Sequence, residues 1–133
     1  MARCFPAVVV FQSAFIFVSG GSSPIDFTKE FASCCYYDVG KDEWNQAPEM
    51  NFARKNHSMC AFGKYIYAFS GVNNSGWLDS IERLDASAIT NERKATWEIV
   101  RLETGNVLPA RGVPMVAPFG ADEILYMGGL LNG

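Results

Sequence analysis

The 133-residue chain carries one histidine, His57, and four cysteines, Cys4, Cys34, Cys35 and Cys60. A lone imidazole cannot supply the imidazole and phenolate ligands of a copper site, and no Ser/His/Asp or Cys/His constellation assembles around it. None of the cysteines forms a C-x-x-C pair, so zinc-ribbon and thioredoxin chemistries fail on spacing. Cys34 and Cys35 are adjacent, so on a strand they point to opposite faces. All four read as small buried hydrophobes in a reducing compartment. Asp38, Asp42, Glu43, Asp79, Glu82 and Asp85 fall at strand ends and in loops, where solvation or turn formation explains them. No catalytic residue, cofactor or metal is expected. What does recur is arginine: Arg3, Arg54 and Arg111 each follow an alanine, at intervals of 51 and 57 residues. A guanidinium fork suits either a ligand or a tie from a loop to a carboxylate or carbonyls of the next unit, and the tie is the simpler reading.

The rest of the composition narrows the setting for these residues. Apolar residues make up 49% and charged residues 19%, enough for a core and too little charge for disorder. Fourteen acids against eleven bases give a net charge of −3, which argues against a nucleic-acid partner held through phosphates. No stretch approaches the ~18–20 apolar residues of a membrane span. Arg3, the apolar run Phe5–Phe11 and the small residues Ser19, Gly20 and Gly21 imitate a secretory leader, yet the same pattern returns twice later, so it reads as structure. Asn56-His57-Ser58 and Asn73-Asn74-Ser75 fit the glycan acceptor pattern, which matters only in a secreted chain.

Three segments overlay. Ala2-Arg3, Ala53-Arg54 and Ala110-Arg111 each open an apolar run, a short polar break and a second aromatic-rich run. These end at Gly20-Gly21, Gly71 and Gly128-Gly129. Between them come Asp38 and Trp44 in the first unit, Asp85 and Trp97 in the second, 6 and 12 residues apart. The longer gap, with Asn91, Glu92, Arg93 and Lys94, reads as a surface loop carrying an insertion. In the second unit the runs predict four strands, over 58–62, 65–70, 80–84 and 96–102, with Gly63-Lys64 as a two-residue hairpin connection. Tyr65–Phe69 and Phe15–Val18 are apolar on both alternating faces, as strands of a sheet covered on both sides must be. Phe17, Tyr67 and Tyr126 are expected at equivalent places in successive sheets. Trp44 and Trp97 are expected to supply contacts between sheets, each indole N–H needing a partner.

This pattern resembles the kelch repeat, a unit of ~50 residues that forms one blade of a β-propeller. The resemblance rests on the glycines closing the second run, on Asp38 and Asp85, on Trp44 and Trp97, and on Arg54 and Arg111. Ser70-Gly71 departs from the double glycine, which is harmless if only the second position needs a positive φ. The expected fold is all-β: four-stranded antiparallel blades in an incomplete ring. Blade 1 would cover about 2–50, blade 2 about 53–108 and the start of blade 3 about 110–133. Since propellers close with ~4–8 blades, the remainder is expected from a longer chain or from self-association. The resemblance implies a cytoplasmic protein-interaction module presenting propeller loops to a protein or peptide, as ubiquitin-ligase substrate-recognition domains and cytoskeletal binders do. Alternatives are a fragment of a kelch-type oxidase or sugar isomerase with its catalytic residues elsewhere, or blades that only scaffold. The contact face would be built by 22–31, 72–79 and 50–57, with Arg54, Lys55, Asn73, Asn74 and Trp77 as candidate contact residues. Against this, Trp77 would only cap the core edge and the asparagines only serve turns.

Overall fold

A computed structural model describes residues 2–102 and 108–131. Residues 103–107, inside the expected second blade, and 132–133, at the end of the third, lie outside the described residues. The chain opens with β1 (Ala7–Phe11), β2 (Phe15–Ser19), β3 (Cys34–Asp38) and β4 (Glu43–Ala47), which form one antiparallel sheet in sequence order. The second sheet contains β5 (Ser58–Phe62) and β6 (Tyr65–Phe69), then β9 (Ile81–Asp85) and β10 (Glu98–Val100). It repeats the arrangement, with order β10-β9-β6-β5. A small hairpin of β7 (Val72–Asn73) and β8 (Gly76–Trp77) projects between β6 and β9. The third unit contributes β11 (Arg111–Gly112), β12 (Met115–Phe119), β13 (Glu123–Met127) and β14 (Leu130–Leu131). In it β12 pairs with β13, and β11 with β14.

The pairing registers make the repeat explicit. Ala7 faces Ser19 and Phe15 faces Asp38 in the first sheet, just as Ser58 faces Phe69 and Tyr65 faces Asp85 in the second. Phe17 and Tyr67 are equivalent, because they pair with Val9 and Cys60, each two residues into its first strand. The third member of that set is Leu125, paired with Ala117, and not Tyr126, paired with Val116. The expected equivalence of Tyr126 is therefore one residue out of register. On a strand one residue changes the face, so Tyr126 looks back at the second sheet, where its ring lies 6.0 Å from that of Phe69.

The sheets stack broadside. One face of the first sheet, with Phe11, Phe17 and Tyr36, packs on Met59, Ile66, Ala68, Leu84 and Trp97 of the second in a continuous buried cluster. The opposite face of the second sheet, with Cys60, Phe69 and Ile81, meets Val116, Ile124 and Tyr126 of the third. Each fully buried large apolar side chain in these seams contributes about 1.5–3 kcal/mol. This double covering is why β6 has no polar face.

The turns follow local chemistry, with two differences from expectation. Gly63 takes φ 60° in the expected two-residue turn. The insertion after Asp85 is a short helix, α1 (Ala86–Thr90), rather than loop throughout. Asp85 caps it by accepting from the Ala88 amide, and Ala86 and Ala88 are buried, so the insertion covers the end of the core. Asn91–Lys94 beyond it are exposed. The fourth strand of the unit is limited to Glu98–Val100, and the third runs to Asp85, one residue later than the pattern placed it. The second difference is at the glycine pairs. Ser70 has φ 56° and Gly71 φ 95°, matching Gly20 (61°) and Gly21 (90°), so both positions need the left-handed region and serine carries the strain.

Candidate functional site

The arginine repeat sets the geometry of the link between units. Arg3 donates from Nη1 to the carbonyls of Gly20 (2.7 Å) and Ser33 (3.0 Å) and from Nη2 to Ser33 Oγ. Arg54 makes the equivalent set, to Ser70 O (2.7 Å), Ser80 O (3.2 Å) and Ser80 Oγ (3.0 Å), and adds an ion pair with Glu82 at 2.6 Å. Arg111 keeps the first of these bonds, to Gly128 O. Both partners of the Arg54–Glu82 pair are fully buried. Burial pulls the Arg54 pKa down, against the opposing pull of Glu82. Glu82 also accepts from the Asn51 amide and side chain and from the Phe52 amide.

Two sequence readings are thereby corrected. Arg54 is inside the fold with its fork engaged, so it is not on the contact face. Glu82 is not a solvated strand-end acid but the anchor of the 51–54 link. Its signal was available in the sequence: it stands at the position of Cys35 in the first sheet, inside a strand rather than at its end.

Lys55 stitches the walls of the loop face together. Its backbone exchanges two hydrogen bonds with Val72 at the base of the β7–β8 hairpin. Its ammonium pairs with Glu30 at 3.1 Å and donates to the Phe27 carbonyl, so it clasps the β2–β3 loop of the preceding unit. Asn73 donates to the Ala53 carbonyl (2.9 Å) and accepts from the Ser75 amide, which fixes the hairpin turn. Asn74 reaches across to the Thr28 carbonyl at 2.6 Å. Asp26 closes its own turn by accepting from the Thr28 hydroxyl and amide, which hold its carboxyl below the usual range. Between these walls lies a polar groove of about 490 Å³, lined by Asp26, Thr28, Lys29, Ala53, Asn73 and Asn74 among others.

Of the five candidate contact residues, Asn73 and Asn74 line this groove and Lys55 braces it. Trp77 is half-buried against Gly112, where a Cβ would come within 2.5 Å of its Cζ3, so it seals the seam to the third unit. Asp26, Thr28 and Lys29, the exposed residues of the opposite wall, were not singled out from sequence, because loop conformation and not residue type brings them to the hairpin.

His57 is buried, with Nε2 2.8 Å from Ser19 Oγ, and that hydroxyl donates to Met59 Sδ. Burial, reinforced by the Arg54 charge, lowers its pKa to about 3, so it is neutral at ordinary pH and belongs to the seam. Burial raises the thiols of Cys34 to about 12 and Cys60 to about 11. All four cysteines are free. Among the described residues no three of His, Cys, Asp and Glu group to hold a metal ion, and no helix is long and apolar enough to cross a membrane.

The second unit carries the match to a known motif. Residues 53–101, from the alanine before Arg54 to the end of the second sheet, match the kelch motif. Over those residues the second unit is similar to a kelch repeat. The chain is 36% identical over 76 residues to kelch-like protein 36 of Bos taurus, covering 56% of this chain and 12% of that protein. It is 29% identical over 85 residues to kelch-like protein 31 of Homo sapiens, with 61% and 13% covered. A third relative, kelch-like protein 22 of Xenopus tropicalis, is 31% identical over 69 residues, with 52% and 11% covered. The matched stretch thus spans roughly an eighth of the length of these kelch relatives. The four-stranded sheets are kelch blades of an open, unclosed propeller.

Proposed function

We propose that this chain is a protein-interaction module whose polar groove, between the 22–31 loop and the 72–79 hairpin, receives a peptide segment of a partner protein. The observation that carries this reading is the construction of the groove. Lys55 ties both walls to the link between blades, so they are held in place by the fold before any partner arrives, and little ordering remains to be done on binding. Asp26, Thr28 and Lys29 stand exposed on one wall with Asn74 and Ser75 on the other, offering donors and acceptors of both charge signs. Kelch-like relatives support an interaction module as the general class. We extend this to substrate recognition for a ubiquitin ligase or to binding of a cytoskeletal protein, in a reducing, cytoplasmic setting that suits four free thiols. The reading of blades that only scaffold is favoured by one observation: Arg54, Asn73 and Asn74 all spend hydrogen bonds on the chain itself.

Selection of a displayed random-peptide library on the immobilised chain separates the two. Peptides enriched on the wild type are expected to lose at least tenfold in affinity for Thr28→Trp and Lys29→Glu. They should be indifferent to Arg93→Glu on the exposed tip of the insertion. No enrichment, or equal binding to the groove variants, would leave the scaffold reading standing.

A further inference from the structure

The groove between the 22–31 loop and the 72–79 hairpin has both walls inside the chain, one from each of the first two blades. Lys55, Glu30, Asp26 and Lys29 border it, and they are not equally free. Lys55 and Glu30 meet at 3.1 Å at its base, where their side chains are 19% and 5% exposed, and so cancel each other. Lys55 also donates to the Phe27 carbonyl. That leaves Asp26 and Lys29, both exposed, to face an incoming chain.

Asp26 and Lys29 differ in how firmly they are held. Asp26 spends Oδ1 on the Thr28 amide (3.0 Å) and hydroxyl (2.6 Å), while its Oδ2 has no partner among the described residues. On the opposite wall Asn74 spends Nδ2 on the Thr28 carbonyl at 2.6 Å. This fixes its amide and leaves Oδ1 as an acceptor without a partner among the described residues. Thr28 is bonded to both side chains, so it gathers a charged acceptor from one wall and a neutral acceptor from the other. The Lys29 ammonium makes no bond among the described residues and rides on a long flexible stem, so ordering it costs rotamer freedom. The fixed acceptors are the better anchor, because little binding energy goes into ordering them. A planar guanidinium, with several N–H donors in one rigid fork, can serve both at once, whereas a compact ammonium presents a single point charge. With the groove read as a peptide site, we infer that its partner places an arginine between the walls, donating to Asp26 Oδ2 and Asn74 Oδ1. An acidic residue of the same segment then meets Lys29. The net charge of −3 works in the same direction, since it draws a basic group toward the surface before contact.

The test is to sequence the peptides that a displayed random library yields on the wild-type chain and to measure their affinities by titration calorimetry. They are expected to share an arginine with an acidic residue a few positions away. Asp26→Asn keeps an oxygen for the Thr28 turn and removes only the charge, so it should weaken these peptides about tenfold. Replacing the peptide arginine by citrulline, which keeps the shape and loses the charge, should do the same. The two changes together should cost little more than either alone, because they remove one interaction. Asn74→Ala gives a second reading of the same coupling from the opposite wall, and native circular dichroism checks that each variant folds. Peptides that lose affinity for Thr28→Trp, yet carry no arginine or ignore both Asp26→Asn and Asn74→Ala, would overturn the inference while leaving the groove a peptide site. Fully additive losses would overturn it in the same way. A library from which nothing is enriched would overturn the peptide site and the arginine together.

Discussion

Trp44, opposite Tyr37, and Trp97, the residue before β10, recur at the fourth strands of successive blades, yet they live in different worlds. Trp97 is buried in the seam and its indole nitrogen is satisfied by the neighbouring blade. Trp44 lies against Tyr37 with its outer face in solvent. The arginines repeat the contrast. Arg3 and Arg54 make the same three bonds to the turns of their own blades, but only Arg54 finds a carboxylate, because the first blade has Cys35 where the second has Glu82. A blade's residues therefore do not carry fixed energies. What each contributes is set by whether a neighbour stands over it and by which single position of the repeat has been changed.

Equilibrium urea unfolding can break this comparison or sharpen it. Trp97→Ala should cost ~3–5 kcal/mol through lost packing and the cavity left behind, whereas Trp44→Ala at an exposed site should cost well under about 1 kcal/mol in dilute, monomeric protein. Equal losses would mean that position in the repeat, and not coverage, governs the tryptophan. Removing the fork is next. Arg54→Met strands Glu82 as an unpaired buried charge, at ~3–5 kcal/mol. Arg3→Met leaves only carbonyls and a hydroxyl unpartnered, at ~1–2 kcal/mol.

The third prediction concerns pH. The folded-state pKa of His57 lies at about 3, below the ordinary 6.5, so the unfolded chain binds the proton first. Stability is then fully present above about 6.5 and declines as pH falls toward 3, by up to ~1.4 kcal/mol per pH unit. His57→Asn should flatten that slope between pH 6.5 and 5, measured as the difference between wild-type and variant unfolding curves. A small effect is expected at Ser70, whose hydroxyl lies 2.8 Å from the Tyr126 hydroxyl. Ser70→Ala should cost about 1 kcal/mol, and in the double variant with Tyr126→Phe the two losses should not add.

Much of this architecture was legible because a blade covered on both sides leaves a plain trace: strands apolar on both faces, ended by glycines at a fixed distance. Tyr65–Phe69 and its counterpart in blade 1 announced the stacking without any knowledge of contacts. The slip at Tyr126 arose where the third unit offers Leu-Tyr-Met, in which an aromatic falls one residue late; side-chain type pointed one way and strand register the other. The helix after Asp85 was hidden because five residues with Ser and Thr among them have no helical period to read. The groove was the least legible part. Its walls come from loops 40 or more residues apart, and Asn74 meets Thr28 only because Lys55 has already fastened both loops to the same link. Arg54 misled for a related reason, since a guanidinium in a loop looks available until the buried acid opposite it is seen.

Phe5, Asn56 and Val113 share one further peculiarity: each has a φ between 52° and 54°, at the same point of its unit. In that posture the amide of Asn56 reaches the carbonyl of Phe5, and the amide of Val113 reaches that of Asn56, so a single main-chain thread runs along the inner rim. These two amides are natural sentinels. Their hydrogen-exchange rates would report the parting of one blade from the next, separately from the melting of either blade, and would show whether the stack opens like a fan or comes apart all at once.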